Sequence, residues 1–253
     1  MSWPARWRQQ GKEPVSLVIW HRLQKLRFLQ LLLYILVFTL IMPFFQFDWV
    51  LQLVSDIFLL NALVVSLSTG PRSRRWQAFL WTLFGSSLLL TVLSIFSTNP
   101  DAKWWFLSFG LKIDVIFLAC CLVAILQYVF AGSRINIDKI FAVIVAYLIL
   151  SLIFAQIYGL IFMYQPHSFN LSWPTDLISL QLLHSSFIYY SIIVITTVGI
   201  GDIIPLTPIA RTFTMIEAVT GQFFVAVLVA WLVGRFLYYE STPPPPPDGP
   251  PNL

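Results

Sequence analysis

Three observations predict an all-α integral membrane protein with six transmembrane helices and one shorter re-entrant helix. Hydrophobic residues make up 58% of the chain and charged residues only 10%, against roughly 25% charged in ordinary globular proteins. Six apolar runs approach the roughly 20 residues that a helix needs to cross a hydrocarbon core of about 30 Å. A seventh, Leu182–Ile195, has 14 residues and stops at a glycine-containing stretch, too short to cross and suited to entering and leaving on one side.

The spans are expected at Phe28–Phe47, Val50–Ser68, Trp76–Phe96, Trp104–Phe130, Ile140–Tyr164 and Ile209–Leu237. The segments between them set the orientation. Arg6, Arg8, Lys12, Arg22, Lys25 and Arg27 precede the first span, Arg72, Arg74 and Arg75 follow the second, Arg134 and Lys139 follow the fourth, and Arg235 closes the sixth. Twelve of the fifteen basic residues thus share one side, which the positive-inside rule makes cytoplasmic together with both termini. Lys103 and Arg211 fall on the other side with Asp48, Asp101, Asp176 and Asp202, and Lys112 lies deep within a span. Tryptophans agree with these borders: Trp49, Trp104, Trp105 and Trp173 mark outer edges, and Trp3, Trp7, Trp20 and Trp76 inner ones.

The chain divides into a basic cytoplasmic segment (1–27), a four-helix membrane domain (28–130), a second membrane domain (139–237) and a proline-rich cytoplasmic tail (238–253). The first span has no small-residue cleavage pattern after it and reads as a retained anchor. The tail, with "PPPPPDGPP", is expected to be extended and disordered. No soluble sensor of the usual size is expected after Leu237. The net charge of +4 comes from topological clusters, so no nucleic-acid partner is called for. Cys120 and Cys121 are adjacent in an apolar run, which disfavours a disulfide and offers no metal spacing. Both are expected to be packing residues.

The segment "TTVGIGD" (Thr196–Asp202) follows the short helix. At membrane depth, irregular backbone persists only where it is buried in protein or lines water. Glycines at alternate positions let successive carbonyls point one way, as a ladder for a cation.

With the preceding "FIYYSIIVI" and the following "ARTFTMIEAVTGQFFVAVLVAWLVG", this segment resembles the pore region of the potassium channel superfamily, especially prokaryotic channels with two helices around each pore loop. The resemblance covers about Lys139 to Leu237. It places the family's Thr-Val-Gly-Tyr-Gly filter on Thr197, Val198, Gly199, Ile200 and Gly201. In such channels the backbone carbonyls and the Thr197 hydroxyl replace the hydration shell of K⁺. Ile200 departs from the usual tyrosine, which keeps the carbonyl but removes an outward strut and puts filter stability and inactivation in question.

Further roles follow from the same resemblance. Thr196 would sit at the junction with the pore helix, and Tyr189 and Tyr190 match paired aromatics that pack behind the filter. Asp202 would place a carboxylate at the extracellular mouth, as an ion-concentrating ring or a local hydrogen-bond partner. Gly221 lies 24 residues after Thr197, as does the hinge glycine of the family's inner helix. Gate hinge and close helix packing both suit it. Glu217, an acid in an apolar helix, is expected to brace the pore helix or to be held protonated. His184, near the start of the short helix, could tune gating by external pH or be a solvated helix-end residue.

A voltage sensor needs several basic residues at every third position of the fourth span; Trp104–Phe130 carries Lys112, with Asp114 nearby. Strong voltage gating is not expected. Counting at 1.5 Å per residue from the outer tryptophans puts Asp56 and Lys112 about 10 Å down, so these two are expected to pair.

The reading that results is a homotetramer in the cell membrane, since one loop cannot surround an ion. It conducts K⁺ passively, has no catalytic residues, and uses no cofactor beyond K⁺ ions in the filter. A weakly selective cation channel and a non-conducting scaffold or regulatory subunit are the alternatives.

Overall fold

The structure, a computed structural model, describes residues 27–41, 48–71, 73–131, 136–171 and 180–241. Their order is α1 (Arg27–Ile41), α2 (Asp48–Thr69), α3 (Arg74–Phe96), α4 (Pro100–Phe130), α5 (Ile137–Tyr164), β1 (Phe169–Leu171), α6 (Leu180–Ile195), β2 (Ile203–Pro205) and α7 (Pro208–Ser241). Each expected apolar run holds a helix, and most helices begin a few residues earlier than hydropathy indicates. Polar caps explain the difference: Asn99 accepts from the Asp101 amide before Pro100 opens α4, and Asn136 accepts from the Lys139 amide at the start of α5.

Among the described residues, α3, α4, α5 and α7 are long and apolar enough to cross a membrane. The apolar stretches Arg27–Leu40 and Val54–Thr69 of α1 and α2 are shorter. Residues 42–47, which complete the first expected span, lie outside the described residues, as do the segments 1–26 and 242–253, Trp173 and Asp176.

The first five helices alternate in direction, so the molecule has two ends. At the lower end Arg27 donates to Ser68 of α2 and lies 3.7 Å from Asp138 of α5, which also accepts from Tyr128 of α4. At the upper end Tyr164 of α5 meets Ser108 and Lys112 of α4. Between these ends most contacts are apolar, apart from the polar contacts of Asp56 with Thr91 and of Ser87 with Asp114. Phe28, Leu31, Ile35, Leu63, Phe117, Cys121, Ile125, Val145 and Ile149 belong to one cluster that joins α1–α4 to α5. Cys121 is buried within it and both cysteines are free.

Two short strands were absent from the sequence expectation. β1 follows the upper end of α5 and pairs antiparallel with β2, Phe169 opposite Pro205 and Leu171 opposite Ile203. This ribbon fixes where the chain arrives after the glycine segment. Along α6, the Phe187 ring lies tilted against Tyr158, Ser191 bonds Ser151, and Ile195 accepts from Tyr147. The partner numbers fall as α6 advances, so α6 runs antiparallel to α5. Against α7 they rise: Ser191 meets Glu217, and Ile195 meets Gly221. Thus α6 descends beside the first half of α7, stops level with Gly221, and residues 196–202 return to β2 at the upper end.

Candidate ion-conduction site

The segment 196–201 owes its shape to its dihedral angles. Thr197, Gly199 and Gly201 have φ of 62°, 54° and 85°, in the left-handed region, and are the described residues with positive φ. Left-handed residues at alternate positions allow successive carbonyls to turn to the same side. Glycine adopts this region freely, whereas an L side chain costs roughly 1–2 kcal/mol there. The amides are drawn the opposite way: Thr197 N–H donates to Val194 O at 2.9 Å, and Val198 and Gly199 N–H both donate to Ile193 O, at 2.9 and 3.1 Å. Donors therefore face the end of α6. Residues 196–201 are exposed, with Val198 and Ile200 each at 62%.

Each supporting residue has a definite partner. Thr196 donates back to Ile192 O at 2.5 Å, closing the last turn of α6. Tyr147 of α5 donates to Ile195 O at 2.7 Å, satisfying one of the carbonyls left open at that helix end. Tyr189 OH donates to Asp202 Oδ2 at 2.8 Å, and Asp202 Oδ1 accepts from the Ile203 amide at 3.0 Å. This carboxylate is therefore held on both oxygens. Tyr190 OH lies 2.9 Å from Thr214 Oγ1 of α7. Its ring packs edge-on against Tyr158 and Phe169, within a second apolar cluster that includes Phe154, Phe187, Ile195 and Ile203.

Glu217 has no exposed surface. Tyr158 OH of α5 lies 2.5 Å from its Oε2, and Ser191 Oγ of α6 bonds its Oε1. Three helices meet at this carboxyl. One turn further on, a Cβ on Gly221 would stand 2.5 Å from Ile195 Cγ1 and 2.8 Å from Ile195 O. The absence of a side chain at Gly221 is what lets α7 approach the end of α6. Thr197, Ala218, Val219, Gln222, Phe223 and Ala226 line an open groove of about 470 Å³ below the glycine segment.

The expected pair of Asp56 and Lys112 is not formed. Lys112 Nζ donates to Tyr164 OH at 2.8 Å and lies over the rings of Phe109 and Tyr164, 4.7 and 5.1 Å from their centroids. Asp56 is turned to Thr91 of α3, near Asp114, which accepts from Ser87 at 2.5 Å. Equal depth did not suffice, because two positions on one helix differ by about 200° in direction when they are two residues apart. Lys112 faces α5, and Asp114 faces α2 and α3. The His184 side chain lies outside the described residues.

Residue-by-residue reading of the sequence missed Tyr147, Ser151 and Tyr158. Their spacing of four and seven residues lines up three hydroxyls on one face of α5, a polar stripe in an apolar helix that could have been noticed. Ser191 and Gln222 carried no comparable signal.

The geometry defines an arrangement in which a short helix delivers an irregular segment, left-handed at alternate residues, between two long apolar helices. Residues 142–238 match the family model described as Ion channel, a stretch that runs from the second turn of α5 to near the end of α7. The chain is a multi-pass membrane protein, and its residues 142–238 are similar to an ion-channel domain. No curated protein matches it.

Proposed function

We propose that four copies of the chain assemble around a common axis and conduct K⁺ passively and selectively through Thr197, Val198, Gly199, Ile200 and Gly201. The observation that carries this reading is the alternation of left-handed residues at 197, 199 and 201, with the amides of 198 and 199 withdrawn to Ile193 O. A carbonyl is a hard oxygen donor suited to a dehydrated alkali ion, and rings of such carbonyls supply K⁺ selectivity. One protomer presents its row on an exposed edge, so the ring requires symmetric copies.

In this arrangement α6 is the re-entrant pore helix, α5 the outer and α7 the inner helix. The exposed face of α7, with Met215, Val219, Phe223 and Val227, faces other copies and the central cavity. The first two helices cross as well, giving six spans, and both termini are cytoplasmic because the basic clusters of the lower end face inward. Asp202 lies at the extracellular mouth, and opening is a splaying of α7 near Gly221. The close approach to Ile195 means that any such bend is felt where α6 ends. Ile200 keeps its carbonyl in the row; support that a tyrosine hydroxyl would give there falls instead to Tyr189 and Asp202.

The test is a recording of purified protein in bilayers under opposed K⁺ and Na⁺ gradients. A reversal potential close to that of K⁺ is expected. Near-equal permeability would replace this reading with a weakly selective cation channel, and absence of current with a non-conducting scaffold or regulatory subunit.

A further inference from the structure

Three oxygen–oxygen contacts meet where α5, α6 and α7 join. Tyr158 OH lies 2.5 Å from Glu217 Oε2, Ser191 Oγ lies 2.6 Å from Ser151 O, and Ser191 Oγ also bonds Glu217 Oε1. Each contact needs a proton, because two oxygens at hydrogen-bond distance without one repel. The inventory of hydroxyl protons is short: one on Tyr158 and one on Ser191. Tyr158 gives its proton to Oε2; Thr214 also stands beside this hydroxyl, but its own proton goes to Ala210 O. Ser191 must give its proton to Ser151 O, since a backbone carbonyl has none to offer. The contact between Ser191 and Oε1 is then left without a proton unless the carboxyl supplies it.

We propose that Glu217 is held as the neutral carboxylic acid and donates its proton to Ser191 Oγ, making it the positioning residue that fixes the pore helix α6 against α5 and α7. An adjacent joint acts as an internal control. Tyr190 OH lies 2.9 Å from Thr214 Oγ1, which lies 2.9 Å from Ala210 O. Two contacts there are served by two hydroxyl protons, and no acid is needed.

The surroundings agree. Glu217 has 0% exposure, and among the described residues the ion pair is Arg27–Asp138 at the lower end. The titratable groups that face Glu217 are the phenols Tyr147 and Tyr158 from α5 and Tyr190 from α6. A carboxylate with no cation at membrane depth is costly; a carboxylic acid whose donor and acceptor are both used is not. The joint also has leverage. Ser191 is one turn before Ile195 and Glu217 one turn before Gly221, so the proton holds α6 in the register that brings Ile195 against Gly221, immediately ahead of the glycine segment.

The inference deepens the channel reading and rests on it only for its effect on flux, so two readouts are used. Infrared difference spectra of the purified full chain, wild type minus Glu217→Gln, are expected to show a protonated-carboxyl C=O band, shifted in heavy water and absent from the variant. Ser191→Ala should keep that band and move its frequency, because the proton loses its acceptor. Loss of carboxylate bands in the first comparison, or an unmoved band in the second, overturns the proposal. In liposomes, Glu217→Gln, whose amide donates and accepts as the acid does, should retain K⁺ flux that Glu217→Ala loses. Equal loss in both variants overturns the positioning role. The acid band without wild-type flux would uphold the joint and defeat the channel reading instead.

Discussion

The four N-terminal helices and the three helices α5–α7 differ in where their polar side chains bond. In α2 and α3 the hydroxyls mostly return to their own helix: Ser68 and Thr69 to Val65 O, Thr82 to Phe79 O, Ser86 to Leu83 O and Ser94 to Thr91 O. Such bonds satisfy a polar group in an apolar medium without specifying a neighbour. In α5–α7 Ser151, Thr196, Thr212 and Thr214 also return to their own helix, but Tyr147, Tyr158, Tyr189 and Ser191 reach across the fold. Tyr158 bonds a residue 59 positions away, Tyr147 one 48 away and Ser191 one 40 away.

The placement differs too. The N-terminal region is pinned to α5 at its two ends, by Arg27, Asp138 and Tyr128 below and by Ser108, Lys112 and Tyr164 above. Among the described residues its interior is mainly apolar, with Asp56, Ser66, Ser87, Thr91, Ser94 and Asp114 as polar members. The pore module is pinned in its middle, around Glu217 and Ile195. A hydrogen bond at mid-depth cannot be exchanged for water, so a break there costs more than one at an end. The comparison teaches that apolar packing with polar pins near its ends suffices for the N-terminal bundle, whereas the segment that follows α6 is held by directional bonds at mid-depth.

The largest effect should come from the aimed segment. Gly199→Ala or Gly201→Ala places a Cβ on φ of 54° or 85°, at a cost of roughly 1–2 kcal/mol per copy. Selective K⁺ flux in liposomes is expected to be lost while the helices persist by circular dichroism. Retained selectivity in either variant would remove the basis of the comparison.

Next is Gly221→Ala. Its methyl would stand 2.5 Å from Ile195 Cγ1 and 2.8 Å from Ile195 O, and overpacking of this kind typically costs about 1–3 kcal/mol. A lower melting temperature is expected, with partial recovery in the double variant with Ile195→Ala. Recovery should be incomplete because the backbone oxygen remains; full recovery would show that the side chain alone sets the approach.

A smaller change is expected for Tyr189→Phe, which removes the hydroxyl 2.8 Å from Asp202 Oδ2. The loss should be about 1 kcal/mol, read as faster decay of K⁺ current during sustained opening. Unchanged decay would assign the support of Ile200 and its neighbours to packing instead.

The smallest effect belongs to an end pin. Lys112→Met removes the bond to Tyr164 and the cation–ring contacts, worth about 0.5–1 kcal/mol at a partly exposed site. Hydrogen exchange at the upper ends of α4 and α5 should rise with flux unchanged. Abolished flux would mean that the ends, not the middle, hold the pore module, and would invert the comparison.

Much of the fold was legible from hydropathy because burial in lipid imposes long uninterrupted apolar runs, and α3 to α7 appear close to where those runs lie. The short helix was legible for the same reason in reverse, since 14 apolar residues cannot cross. What hydropathy hides is direction around the helix axis. Asp56 and Lys112 share a depth yet face different neighbours, and the ribbon of β1 and β2 has only three residues per strand, too few for a pattern.

The sequence by itself determined the membrane class, the apolar runs, and the need for glycine at 199 and 201, because these depend on composition and on local backbone sterics. The partners of Glu217, the approach of Gly221 to Ile195 and the tie from Tyr189 to Asp202 were decided only when three helices came together. Hydrogen bonds and close packing are set by azimuth and by fractions of an ångström between segments far apart in the chain, and no single helix carries that information.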